Sequence, residues 1–160
     1  PWEGYCDRKD GARFGICSCD VDDMYTPYVT PQENGHRVDV RWLEIKNEKG
    51  RGLVVFAMDK EFEFNALHNS VEDFDTEESD APYQWNNFVE NDPHDIGRAR
   101  NVMKKQTHVC DISPRDFTEI CIDSRMTGVG GDNSWGAETY EKYKVLTSEP
   151  QRLKFKIIPF

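Results

Sequence analysis

Four glycines (Gly128, Gly130, Gly131 and Gly136) and one large aromatic, Trp135, share the short stretch Met126-Thr-Gly-Val-Gly-Gly-Asp-Asn-Ser-Trp-Gly136. Glycine permits backbone angles that side chains disfavour, so a loop this rich in it is shaped to present something. Trp135, flanked by Asp132, Asn133 and Ser134, has the chemistry of a sugar platform: a flat apolar face for the C–H groups of a ring, and polar side chains for its hydroxyls. The competing reading is a tight turn whose tryptophan plugs a core.

Other reactive groups are plentiful but unplaced. Sugar hydrolysis needs two carboxyl groups about 5 to 5.5 Å apart for retention, or farther apart for inversion. Thirty Asp and Glu scattered along the chain single out no such pair, so no residue is assigned a catalytic role. For a metal, Cys17, Cys19 and His36, or His108, Cys110 and Asp111, supply ligand types without a zinc spacing. Asp20, Asp22 and Asp23 lack the twelve-position calcium loop with its central glycine and terminal glutamate. Core thiols and surface histidines are the expectation, and no metal ligand is assigned. A Cys-His-Asp nucleophilic set rests on inventory alone.

At 160 residues the chain suits one domain, and its 4 Trp, 6 Tyr and 9 Phe supply the buried area that a mean hydropathy of -0.79 would otherwise put in question. A net charge of -10 and a pI near 4.8 oppose binding to a nucleic-acid backbone or an anionic membrane surface. The expectation is therefore no nucleic acid and no membrane as partner, and no apolar run approaches the ~20 residues of a spanning helix. Cys6, Cys17, Cys19, Cys110 and Cys121 are odd in number and form no CxxC pair, which fits reduced thiols and a cytoplasmic location, with the periplasm as alternative. The chain opens on Pro1-Trp2 and not on methionine, as expected of a fragment, a processed product or a trimmed chain.

The elements that must hold the loop are strands. Alternation predicts strands at 13–21, 38–46, 52–58, 61–67, 117–126 and 152–158, with a weaker extended stretch at 140–146. Strands 38–46 and 52–58 flank the polar turn Asn47-Glu-Lys-Gly-Arg51 and read as a hairpin. In 61–67, Phe62 and Phe64 are expected inward with Glu61 and Glu63 outward. In 117–126, Ile120, Ile122 and Met126 share one face, opposite Glu119, Cys121 and Asp123. Residues 22–37, with two prolines and an Asn-Gly, form an ordered loop. An insert at 68–106 combines an acidic run at 71–80, the aromatics Tyr83, Trp85 and Phe88, and a helix over 93–105. The result is an all-β antiparallel β-sandwich with a long loop and helix insert.

Three stretches carry a resemblance: Asp23-Met-Tyr-Thr-Pro-Tyr-Val-Thr-Pro-Gln-Glu-Asn-Gly-His-Arg37 with Arg41-Trp42 after it, the Met126-x-Gly-Val-Gly-Gly-Asp-Asn-Ser-Trp135 loop, and Trp2-Glu-Gly-Tyr-Cys-Asp-Arg8. Together they closely resemble the carboxyl-terminal domain of large β-galactosidases of glycoside hydrolase family 2, over about residues 3–143. The resemblance implies the second half of a galactose-mutarotase-like supersandwich. It also implies that the tryptophan matching Trp135 stacks on the aglycone sugar of a β-galactoside. The two catalytic glutamates and the Mg2+ and Na+ ligands of that family sit in a separate (β/α)8 barrel that no stretch here matches. No cofactor is expected in this chain, and the implied partners are the sugar, the remaining domains of the enzyme and further copies in a homo-oligomer. The insert at 68–105 is longer than the corresponding region in some members.

The candidate substrate contacts are thus Trp135, Asp132, Asn133, Ser134 and His36. Gln32, Glu33, Asn34 and Arg37 border the last of these, with a structural role as the alternative and Arg37 or Arg41 pairing buried carboxylates. A free-standing carbohydrate-binding module and a purely structural or assembly domain remain the competing functions.

Overall fold

The computed structural model describes residues 3–9, 12–74, 109–133, 135–148 and 150–160. They divide into two compact units: residues 1–26, 34–67 and 118–160 form the first, and residues 27–33 and 68–117 the second.

Among the described residues the first unit holds six strands: β1 (Arg37–Val40), β2 (Trp42–Lys46), β3 (Gly52–Ala57), β4 (Phe62–Leu67), β5 (Glu119–Asp123) and β6 (Phe155–Pro159). They make two antiparallel three-stranded sheets, ordered β1-β4-β5 and β2-β3-β6. The all-β sandwich expected from the alternating pattern is the fold found.

The predicted strand 38–46 is two strands in different sheets. Asp39 takes a left-handed φ of 57°, the register with β4 slips between Arg37 and Val40, and the chain bends at Arg41 before β2 begins. Alternation alone does not mark such a corner. The hairpin β2–β3 then forms in continuous register from Trp42 opposite Phe56 to Lys46 opposite Gly52.

β4 is the central strand of its sheet, and all six of its residues are buried. Its two faces differ sharply. Phe62, Phe64 and Ala66 lie on one face beside Ile122 and Ile120 of β5, an apolar layer in which the Phe62 and Phe64 rings meet edge to face. Glu63, Asn65 and Leu67 lie on the other, opposite Asp123, Cys121 and Glu119. The expectation that Glu63 faces solvent fails because residues 34–36 cover this second face.

Three further expectations are corrected. Residues 13–21 form no strand; they find no ladder partner, so Phe14 and Ile16 stand 91% and 84% exposed, Phe14 beneath the Arg41 guanidinium at 4.9 Å. Residues 141–143 make a 3-10 turn instead of an extended stretch. The strand predicted at 152–158 forms as β6, paired with β3, but Phe155 and Ile157, expected inward, are exposed: β6 is the edge of its sheet and all five of its residues are exposed.

In the second unit, Asp73 accepts hydrogen bonds from Asn69 (3.3 Å), from the backbone N–H of Ser70 (3.1 Å) and from Arg115 Nε (3.0 Å). This ties the 3-10 turn Val71–Asp73 to the chain ahead of β5, and the Asp73 carboxylate raises the Arg115 pKa. Of the insert expected at 68–106, the described residues 68–74 are part of this unit. Its predicted helix at 93–105 and the aromatics Tyr83, Trp85 and Phe88 lie outside the described residues.

Candidate functional site

The loop that follows β5 is held along its length. Its first residue, Met126, donates its backbone N–H to Glu63 Oε2 at 2.7 Å, and its carbonyl accepts from Cys6 Sγ at 3.5 Å. Gly128 N–H donates to the Tyr143 carbonyl at 3.0 Å, and the Gly128 carbonyl accepts from the Thr139 hydroxyl at 2.5 Å. The next two amides, of Val129 and Gly130, donate to the two oxygens of Asp7 at 3.0 and 2.9 Å. Arg8 takes the opposite polarity of the same turn, donating to the Gly130 carbonyl and, at 2.9 Å, to Asp132 Oδ1. Gly131 N–H closes the base of the loop on the Ala137 carbonyl at 3.0 Å.

Gly130 and Gly131 hold φ of 64° and 75°, left-handed values that a side chain would strain. Beyond that fixed base the tip projects. Trp135 is 93% exposed, and its backbone N–H is tied to Asn133 Oδ1 at 2.8 Å. Within this chain the tryptophan is therefore no core plug: the glycines, in the conformation that composition suggested, present it outward. Ser134 lies outside the described residues.

The electrostatics of the base follow from these contacts. Burial pushes the Asp7 carboxyl upward, but the amides of Gly130 and Val129, its own backbone and the Arg8 guanidinium outweigh it, leaving the pKa below its ordinary value.

His36 is fully buried. Its Nε2 lies 2.9 Å from Glu63 Oε2, Tyr5 stacks on its ring at 5.5 Å and 12°, and among the described residues its Nδ1 has no hydrogen-bond partner. It thus sits inside the first unit, away from solvent. Glu63 Oε2 serves both His36 and Met126, so the chain ahead of β1 and the start of the tryptophan loop share one carboxylate. Opposite Glu63 on β5, the Asp123 carboxyl is pushed up by burial and by the Glu63 charge, with His36 pulling the other way.

Residues 3–8 join the two motif-bearing stretches. Glu3 accepts from Gly35 N–H at 2.7 Å, Gly4 N–H donates to the His36 carbonyl at 2.9 Å, and Tyr5 stacks on His36. Cys6, Asp7 and Arg8 then grip the loop. Asn34 accepts from Thr26 N–H at 2.9 Å and its own carbonyl accepts from Asn65 at 3.5 Å, which fixes residues 34–36 over β4. Arg37 donates to the carbonyls of Gly35 and His36, and burial lowers its pKa. Arg41 meets Glu61 at 3.4 Å on an exposed surface, so the expected pairing with a buried carboxylate is not made there.

The structure therefore brings Asp132, Asn133 and Trp135 together at the tip and places His36 in the interior behind it. Sequence reasoning missed Asp7, Arg8 and Glu63 as the residues that hold the tip. The available signal was an adjacent acid and base after an aromatic, but only the fold sets that pair against the glycines. Cys17, Cys19 and Cys110 are exposed, and among the described residues no group of three or more His, Cys, Asp or Glu is arranged to hold a metal ion. His108 lies outside the described residues. No helix among the described residues is long and apolar enough to cross a membrane.

With this geometry in hand, comparison with known proteins is specific. Residues 1–157 match the family described as Beta galactosidase small chain. The chain is 30% identical over 159 residues to a β-galactosidase of Priestia megaterium, covering 99% of this chain and 12% of that protein. It is 29% identical over 157 residues to a β-galactosidase of Streptococcus thermophilus, covering 98% and 12%, and 27% identical over 157 residues to one of Halalkalibacterium halodurans, covering 98% and 13%. It thus spans about an eighth of the length of these relatives. A match over nearly every residue means that this chain belongs to the β-galactosidase small-chain family.

Proposed function

We propose that this chain is the carboxyl-terminal portion of a retaining β-galactosidase of glycoside hydrolase family 2, and that Trp135 is the aromatic platform on the aglycone side of its active site. The observation that carries the reading is a tryptophan 93% exposed on a loop whose base is hydrogen-bonded amide by amide. An exposed ring carried on a braced backbone costs less ordering when a sugar covers it than one on an untethered loop would. Covering one face removes roughly 100 Å² of apolar surface from water, about 2.5 kcal/mol at ~25 cal/mol per Å² before the costs of association.

Asn133 and Asp132 flank the ring to meet hydroxyls, with Ser134 between Asn133 and Trp135 in the sequence. His36 supports the loop through Glu63. Stacking on a ring face is tolerant of which sugar is stacked, which suits an aglycone or acceptor site better than the site that selects galactose. The two carboxyl groups that cleave the bond lie in a (β/α)8 barrel outside this chain, where Mg2+ and Na+ are held. The partners are the β-galactoside, the other domains of the enzyme and further copies of it, in the cytoplasm.

A retaining mechanism forms a galactosyl-enzyme that either water or an acceptor sugar resolves. The test is the partition between the two in the whole enzyme. With Trp135→Ala, glucose captures a smaller share of the galactosyl group, by about tenfold. An unchanged partition refutes the assignment.

A further inference from the structure

We propose that Asp7 is the positioning residue of the Trp135 loop, setting affinity for the acceptor sugar without touching it; this rests on the reading of Trp135 as the platform. Asp7 spends both carboxylate oxygens on consecutive loop amides, Val129 at 3.0 Å and Gly130 at 2.9 Å, and its side chain is only 3% exposed. It is thus shielded from any ligand yet bonded to the base on which the tryptophan stands. Its neighbour Arg8 bonds the Gly130 carbonyl and Asp132, so one dipeptide grips both the donors and an acceptor of the same turn. Paired backbone hydrogen bonds between Tyr5 and Arg8, at 3.2 and 2.9 Å, fix the turn that aims both side chains.

Gly128 supplies an independent observation. A Cβ there would stand 2.6 Å from Asp7 Cγ and 2.7 and 2.9 Å from its oxygens, while the Gly128 φ lies outside the left-handed region. Glycine is needed at 128 for the approach of the Asp7 carboxylate, not for the shape of the backbone. A structure in which Asp7 merely capped a passing turn would place no such demand on the residue before that turn.

From Gly131, whose N–H is tied to Ala137, the chain runs out to Trp135 and back. The angle at which the ring meets a sugar is therefore set at the base that Asp7 holds. Loosening the base blurs that angle without removing the ring.

The test uses the whole β-galactosidase that carries this chain. In Asp7→Asn, one acceptor oxygen becomes an amide nitrogen facing a backbone N–H. Hydrogen exchange of the backbone at Val129 and Gly130 is expected to rise about tenfold, and kcat/KM for lactose to fall about tenfold more than kcat/KM for an activated aryl galactoside. Gly128→Ala reproduces both effects, and in the Asp7→Ala background it adds nothing, because the atoms its Cβ meets are gone. This cycle also carries the test if Asp7→Asn fails to fold.

The proposal is overturned if exchange at Val129 and Gly130 is unchanged in both single variants, or if the Gly128→Ala loss persists undiminished in the Asp7→Ala background. Faster exchange with equal losses on lactose and aryl galactoside, in an enzyme where Trp135→Ala does separate the two substrates, reduces Asp7 to a structural role and overturns it too. If Trp135→Ala itself fails to separate them, the platform reading has failed, and the exchange and coupling results still report separately on whether Asp7 holds the loop.

Discussion

Glu63 Oε2 lies 2.9 Å from His36 Nε2 and also accepts the Met126 N–H at 2.7 Å, so one buried carboxylate oxygen joins β4, the approach to β1 and the start of the tryptophan loop. Glu63→Ala strands a buried ring nitrogen and a backbone amide together. The expected cost is about 3–5 kcal/mol, read as a fall in the denaturant midpoint. Glu63→Gln, which keeps an oxygen in reach, should lose less; a neutral Glu63→Ala would show that the pair carries no stability.

Gly35 makes a second demand on the same region. Its φ is 73°, and a Cβ there would lie 2.8 Å from the Met24 carbonyl oxygen and 3.1 Å from Leu67 Cδ2. Because the nearest obstacle is backbone, Gly35→Ala combines left-handed strain with a clash that no rotamer relieves. A loss of about 2–3 kcal/mol is expected in equilibrium unfolding.

Much of this architecture is legible in the sequence, and the exceptions share a cause. The hairpin β2–β3, the faces of β5 and the presented loop follow from local pattern and turn chemistry, which act over a few residues. The buried Glu63, the lone course of residues 13–21 and the sheet change at Asp39 and Arg41 do not, because each depends on which distant segment lies alongside. Glu63 is inside because residues 34–36 cover it, and Phe14 is outside because no strand pairs with its segment. In the candidate site the tip was legible from glycines and a tryptophan; its supports, Asp7, Arg8 and Glu63, lie far from it along the chain and are joined to it only by the fold.

Asp7 and Asp123 should leave opposite marks on the pH dependence of stability. The Asp7 pKa is lowered in the folded state, so its contribution is full above about pH 4 and is lost as pH falls through the folded value. The Tm difference between the parent chain and Asp7→Asn should therefore be largest near neutrality and shrink on acidification. A difference constant with pH would mean that the carboxylate charge is not what holds the amides.

For Asp123 the sign reverses. Its folded pKa is raised, by burial first and the Glu63 charge next, so below about pH 4 it costs nothing and the penalty grows as pH rises through the folded value. Asp123→Asn should raise Tm at pH 7 and have a diminishing effect toward pH 4. A destabilised variant at neutral pH would mean that the ionised carboxylate is stabilised by its surroundings.

The central claim is that Trp135, 93% exposed on a braced loop, is the surface on which an aglycone sugar stacks. The most direct measurement compares kcat/KM for lactose and for an activated aryl galactoside in the whole enzyme with and without Trp135→Ala. The account predicts that the loss on lactose exceeds the loss on the aryl substrate by about tenfold or more, since the sugar leaving group uses the ring face in binding. Equal losses on the two substrates would contradict it.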